Sequence, residues 1–180
     1  MPVYLKNLSK RLDSQFISDD DAFERFQVLA DIAALNWPKG VVRQWLWDHG
    51  FNDSFLRDYG SLDIYLITWT LEKVPANHFL VMETGASDGD CIEEYAANHG
   101  YWMGLKSRPH PAVRKAWEEE GTWLVPPIAL ERRLLEPSDI GLQLVEGRTR
   151  VGILRGRLRA GLQVAGEHET WVGRRNPSTA

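Results

Sequence analysis

Between residues 126 and 156 the chain changes its hydrophobic period at one glycine. The block reads PPIALERRLLEPSDIGLQLVEGRTRVGILRG. Residues 127–134 and 141–146 are short β-prone runs, bridged by a turn around Pro137-Ser138-Asp139. From Thr149 to Leu162 the period becomes helical, with Val151, Leu154, Leu158 and Leu162 along one stripe. The order strand, turn, strand, glycine, helix predicts Gly147 at a strand-to-helix junction.

That junction carries the chemistry. A helix start presents backbone N–H groups without partners, and the helix dipole adds positive potential there. Arg148 and Arg150 flank the turn, and Thr149 offers a cap or a hydroxyl donor. An arginine fork matches two phosphate oxygens at once. The expected ligand is an anion, most simply a nucleotide phosphate. Glu146 either pairs with a neighbouring arginine or serves as a base. Arg155, Arg157 and Arg159 are expected on a solvated helix face.

The segment PPI…LQLVEGRTRVGIL resembles the ParB/sulfiredoxin-like superfamily over about residues 112–162. The matching parts are a helix over 113–121 ending in glycine, Pro127-Ile128, the strand 142–145, and Gly147-Arg148-Thr149-Arg150. The resemblance implies a small mixed-sheet domain of that type and binding of ATP or CTP phosphates, with or without Mg²⁺. Gly147, Arg148, Thr149 and Arg150 would hold the nucleotide. Glu146 matches the catalytic carboxylate of the superfamily's free serine kinases. Sulfiredoxins carry their reactive cysteine directly after the turn glycine, where this chain has Arg148. Cys91 lies far upstream, which argues against sulfinic acid reduction. The partitioning proteins of the superfamily continue into a long DNA-binding region, whereas 18 residues follow Leu162 here.

The first 76 residues read as helices. Phe23, Phe26, Ala30, Ala33 and Ala34 share helical spacing over 20–35, with Asp19, Asp20 and Asp21 at its start. Trp37-Pro38-Lys39-Gly40 breaks that helix. Further helices are expected over 41–49, 53–59 and 62–69, although Ile67-Thr68-Trp69-Thr70 suits a strand equally well. The tryptophans at 37, 45, 47 and 69 are expected in a core. Beyond residue 77, His78–Met82 is β-like, 83–90 is a polar loop whose carboxylates suit Mg²⁺, and 90–98 and 112–120 are helices. His99-Gly100 should stop the first of these, Arg108-Pro109-His110-Pro111 should be a loop, and 170–172 a last strand. The expected class is α+β: a helical region (1–76) packed on a mixed-sheet domain (77–173), with a tail (174–180).

Composition narrows the function classes. One cysteine excludes an internal disulfide and a multi-cysteine metal site. No apolar stretch is long enough to span a bilayer, and the first residues lack a secretory pattern, so a cytoplasmic protein is expected. Residues 1–100 carry 8 Lys+Arg against 16 Asp+Glu, a balance of −8, while residues 101–180 carry 13 against 9, a balance of +4. An anionic ligand therefore belongs to the C-terminal half, and the mild basicity does not point to DNA. The alternative is a non-catalytic binding module, such as an immunity or antitoxin-like protein, covering a basic partner with its acidic helical half.

Overall fold

The computed structural model describes residues 3–12, 21–104 and 111–176. Within them, β1 (Ile67–Pro75), β2 (Glu83–Thr84), β3 (Ile128–Glu131), β4 (Leu142–Glu146) and β5 (Glu167–Arg175) form one sheet in the order β1-β5-β3-β4-β2. β1 pairs with β5 and β3 with β4 antiparallel; β3 lies parallel to β5 and β2 parallel to β4. The class is α+β with a mixed sheet.

Side chains alternate across a pleated strand, so a strand buried on both faces feeds two cores. Ile128 and Leu130 of β3 enter one core and Ala129 between them enters the other. The first core is closed by the N-terminal helices through Leu5, Phe26, Trp45, Phe55 and Tyr59. Trp37 stacks on Trp45 at 5.2 Å and Trp45 meets Trp69 edge-on at 5.2 Å. The tryptophans at 37, 45, 47 and 69 all belong to this core or pack against it. The second core holds Phe79, Ile92, Trp117, Trp123 and Leu154 beneath the helices Cys91–Ala97 and Arg148–Arg159.

Local signals hold where a cap or a breaker is present. Asp53–Tyr59 is a helix whose N-cap, Asn52, accepts from the amides of Ser54 and Phe55. Pro111–Lys115 and Ala116–Glu120 run to Gly121, which adopts φ 68°. Pro38 ends the preceding coil and admits Lys39–Val41, which passes into a π-helical stretch, Val42–Trp47. Val41, Val42, Trp45 and Leu46 are all buried there.

Elsewhere long-range packing overrides the local pattern. The expected helix over 62–69 is a short 3-10 turn, Ile64–Leu66, followed by β1. Nine residues of β5 are available to pair with β1, and the β-branched and aromatic run takes that partner. The first 76 residues are thus not all helical. The expected strand at 78–82 is a helical turn, His78–Val81, because Phe79 turns inward to the second core. The helix over 20–35 breaks at Val28-Leu29 into Ala22–Gln27 and Ala30–Ala33. The break rotates the second piece, so Ile32 and Leu35 are buried while Ala30, Ala33 and Ala34 are exposed. Asp21 makes no side-chain cap, and Asp19 and Asp20 lie outside the described residues. His99-Gly100 does not end helical structure; His99–Met103 follows. The last strand extends over 167–175, so Arg174 and Arg175 belong to β5 and not to a tail. Arg108-Pro109-His110 and residues 177–180 lie outside the described residues.

The helix Arg148–Arg159 departs most from its expected stripe. Val151 and Leu154 are buried, but Leu158 and Leu162 are exposed. The packing face runs instead through Gly152 and Gly156. A Cβ at Gly152 would lie 2.4 Å from Tyr95 Cβ, and one at Gly156 2.4 Å from the Ala96 carbonyl oxygen. That close approach to Cys91–Ala97 turns Arg155 and Arg157 inward; neither lies on a solvated face. The Arg155 guanidinium donates to the carbonyls of Phe79 and Met82, both at 2.8 Å, and to Glu93 at 2.8 Å. Arg157 donates to the Gln163 carbonyl and lies over the Trp117 ring. Arg155→Met keeps the buried stem but strips the donors from two buried carbonyls. A loss of about 2 kcal/mol is expected by urea denaturation, with Arg155→Lys recovering only part. An unchanged midpoint would show that water or a rearranged turn replaces the guanidinium.

Candidate functional site at the Gly147 turn

β4 ends one residue before Gly147, which adopts φ 105°, and the helix Arg148–Arg159 begins immediately after it. The junction is where the change of period places it. A β-bulge precedes it: Ile128 pairs with Glu146 and Ala129 with Leu144, leaving Val145 as the extra residue. Such a bulge bends the strand end and re-aims the side chain after it. Nothing in the alternation of residues 142–146 announces it.

The five residues expected at the site do not act as one group. Arg150 folds back along the turn. Its guanidinium bonds Glu146 and donates to the Val125 carbonyl at 2.8 Å and more weakly to that of Pro126 at 3.4 Å. Glu146 is mostly buried, with His49 Nε2 at 3.9 Å from its other oxygen. Burial pushes its carboxyl pKa up, but the Arg150 charge and His49 outweigh that and hold it below the ordinary value. A carboxylate held ionised by its own arginine is a brace; a general base works best with a pKa near the working pH. Thr149 makes no hydrogen bond through its side chain among the described residues, and Gly147 provides no side-chain cap.

Arg148 points the other way. It bonds Asp88, which also accepts from the Thr84 hydroxyl. Both line a cavity of about 90 Å³ with His49, Asn52, Ser54, Phe55, Asp58, Tyr59 and Ser87. The structure thereby joins the polar 83–90 segment, which is β2 and a 3-10 turn (Ala86–Asp88) rather than a loop throughout, to the Gly147 turn. It also adds a side from the helix Asp53–Tyr59 that no short motif marks. Asp58 accepts from the Ser87 amide at 3.1 Å and from its hydroxyl, whose oxygen lies 3.1 Å from the Ser54 carbonyl oxygen. The Tyr59 hydroxyl donates to the Leu144 carbonyl at 3.3 Å and accepts from Gln143 at 3.2 Å. Burial, with Asp88 and Asp58 nearby, pushes its pKa up to about 12, so Tyr59 stays a neutral donor.

The cavity thus presents two carboxylates against one guanidinium, beside the uncapped end of a twelve-residue helix. Among the described residues, no cluster of three or more His, Cys, Asp or Glu could hold a metal ion. No helix of the described residues is long and apolar enough to cross a membrane. No protein-family model, curated protein or solved structure matches the chain.

Proposed function

We propose that the chain is a ParB-like protein that binds the phosphates of a nucleotide, ATP or CTP, at the Gly147 turn. One observation carries the reading. Gly147 turns a strand into a helix with no side-chain cap, and no hydrogen bond to the amides of 148, 149 or 150 is present among the described residues. Unpaired amides at the positive end of a helix dipole favour an anion. The order of elements supports it too: a helix ending at Gly121, β3 at Ile128, β4, then the turn.

The contacts assign different work to the two arginines. Arg148, at the cavity, is the phosphate contact, released from Asp88 as the ligand enters. Arg150 shapes the turn from behind. A cavity of about 90 Å³ takes a phosphoryl group, while the base and ribose of a nucleotide lie outside it. Asp88 and Asp58 repel a bare anion, so the ligand that fits is a nucleotide bringing Mg²⁺ with it. Two carboxylate oxygens and substrate phosphates form the kind of set Mg²⁺ takes. The ion would neutralise the two aspartates while Arg148 neutralises phosphate.

Isothermal titration of ATP and CTP, with and without Mg²⁺, tests this. Arg148→Ala should cost a charge-assisted contact of about 1.5–3 kcal/mol, roughly a 10- to 150-fold loss of affinity. Arg150→Ala should lower thermal stability, and exposed Arg133→Ala should change neither. No heat with either nucleotide, or equal affinities for wild type and Arg148→Ala, leaves the turn as scaffold. The specific support for that second reading is that both arginines are already paired. The chain would then be a binding module that recognises another protein.

A further inference from the structure

The helical cover of the sheet stops short of one corner. On β1, Ile67 is buried and Trp69 packs against the first core, but Leu71 and Lys73 further along the same face are exposed. Their register partners on β5 are Trp171 and Glu169. An open groove of about 630 Å³ lies at this corner. Lys73, Glu167 and Glu169 form one side, Glu120 another, and Trp123, Leu124 and Pro126 the apolar wall. Leu124, on that wall, is 47% exposed.

Charge singles out the groove further. Nearby carboxylates are paired: Glu118 with Arg114, Glu119 with Lys115, and Glu72 and Glu131 with Arg174. Glu120, Glu167 and Glu169 have no ion-pair partner among the described residues, nor does Lys73. Three carboxylates of residues 101–180, a half whose overall balance is +4, thus face the one ammonium group of Lys73.

We infer that this corner docks an extended basic segment of a partner protein, with arginine or lysine alternating with apolar residues, lying in the groove. Basic side chains then meet Glu120, Glu167 and Glu169, and apolar ones meet the wall of Trp123, Leu124 and Pro126. The inference is independent of the Gly147 turn.

The test is fluorescence anisotropy of a fluorescein-labelled peptide of alternating arginine and leucine, with a glutamate–leucine peptide and spermine as competitors. The arginine–leucine peptide should bind, and neither competitor should displace it at equal concentration. Neutralising Glu120, Glu167 and Glu169 together to Gln should weaken binding about tenfold or more. Neutralising the exposed Glu24, Glu94 and Glu136 instead should change it less than about twofold. Leu124→Ser should also weaken binding. Lys73→Glu adds a fourth carboxylate and should tighten it several-fold, a gain that misfolding does not imitate. Equal losses in the two triple variants, displacement by spermine, or no binding would overturn the inference. So would a dimer in sedimentation that Leu124→Ser dissolves, because the occupant would then be a second copy of the chain.

Discussion

Gly147→Ala is expected to lower stability by about 3–5 kcal/mol, through two separable effects. At φ 105° an alanine sits in backbone space that L side chains rarely adopt. Its Cβ would also lie 2.4 Å from Pro127 Cβ, inside any allowed contact. Thermal unfolding followed by circular dichroism should fall by roughly 6–20 °C for a chain of this length. Pro127→Gly removes the facing Cβ, so the double variant should lose less than the two single losses added. A strictly additive double variant would mean that the steric part is relieved elsewhere. A loss under about 1 kcal/mol would mean that the junction relaxes and that the turn is not a rigid feature.

Acidification should act through His168. Its ring is 1% exposed, lies 4.5 Å from the Trp123 ring, and has Thr122 Oγ1 at 2.8 Å from Nδ1. Its Nε2 has no partner among the described residues. Burial lowers its pKa from 6.5 to about 4, despite an opposing contact with the Ala165 carbonyl. The folded state therefore prefers the neutral ring. Above the unfolded pKa of 6.5 that stability is present in full. As pH falls below 6.5 the unfolded chain takes up the proton first, and stability is lost until the folded pKa near 4 is passed. The loss should reach about 2 kcal/mol by pH 5 and about 3 kcal/mol by pH 4. Urea midpoints between pH 7 and pH 5 check it. His168→Gln should be flat over that window, whatever its stability at pH 7. A wild type equally flat would show that the buried ring finds a partner when charged.

Much of this molecule is legible within a few neighbouring residues. The change from β-prone runs to a 3.6-residue period, with one glycine between, locates the junction at 147 because only a positive φ turns the chain there. Asn52 and Gly60 bracket the helix Asp53–Tyr59, and Gly121 ends another, through caps that depend on one or two side chains. The tryptophans at 37 and 45 are core residues by size and spacing alone. The arginines of the turn are visible in the same way, as residue types at a helix start.

What those arginines touch is a different matter. Arg148 finds Asp88 across 60 residues and Arg155 finds the carbonyl of Phe79 across 76. A guanidinium on a helix reads as solvated until a partner of that separation supplies acceptors, and two glycines let the helix close in on Cys91–Ala97. β1 likewise has the composition of a helix or a strand, and only the nine residues of β5 decide between them. Asp58 enters the cavity because its helix packs beside the turn at Ala86–Asp88, a neighbour that no spacing specifies. Period, cap and backbone sign are local energies, of about 1 kcal/mol each, and the sequence by itself sets them. Strand partners, buried charges and the far wall of a site depend on contacts that exist only once the sheet is assembled, and the tertiary structure alone decided those.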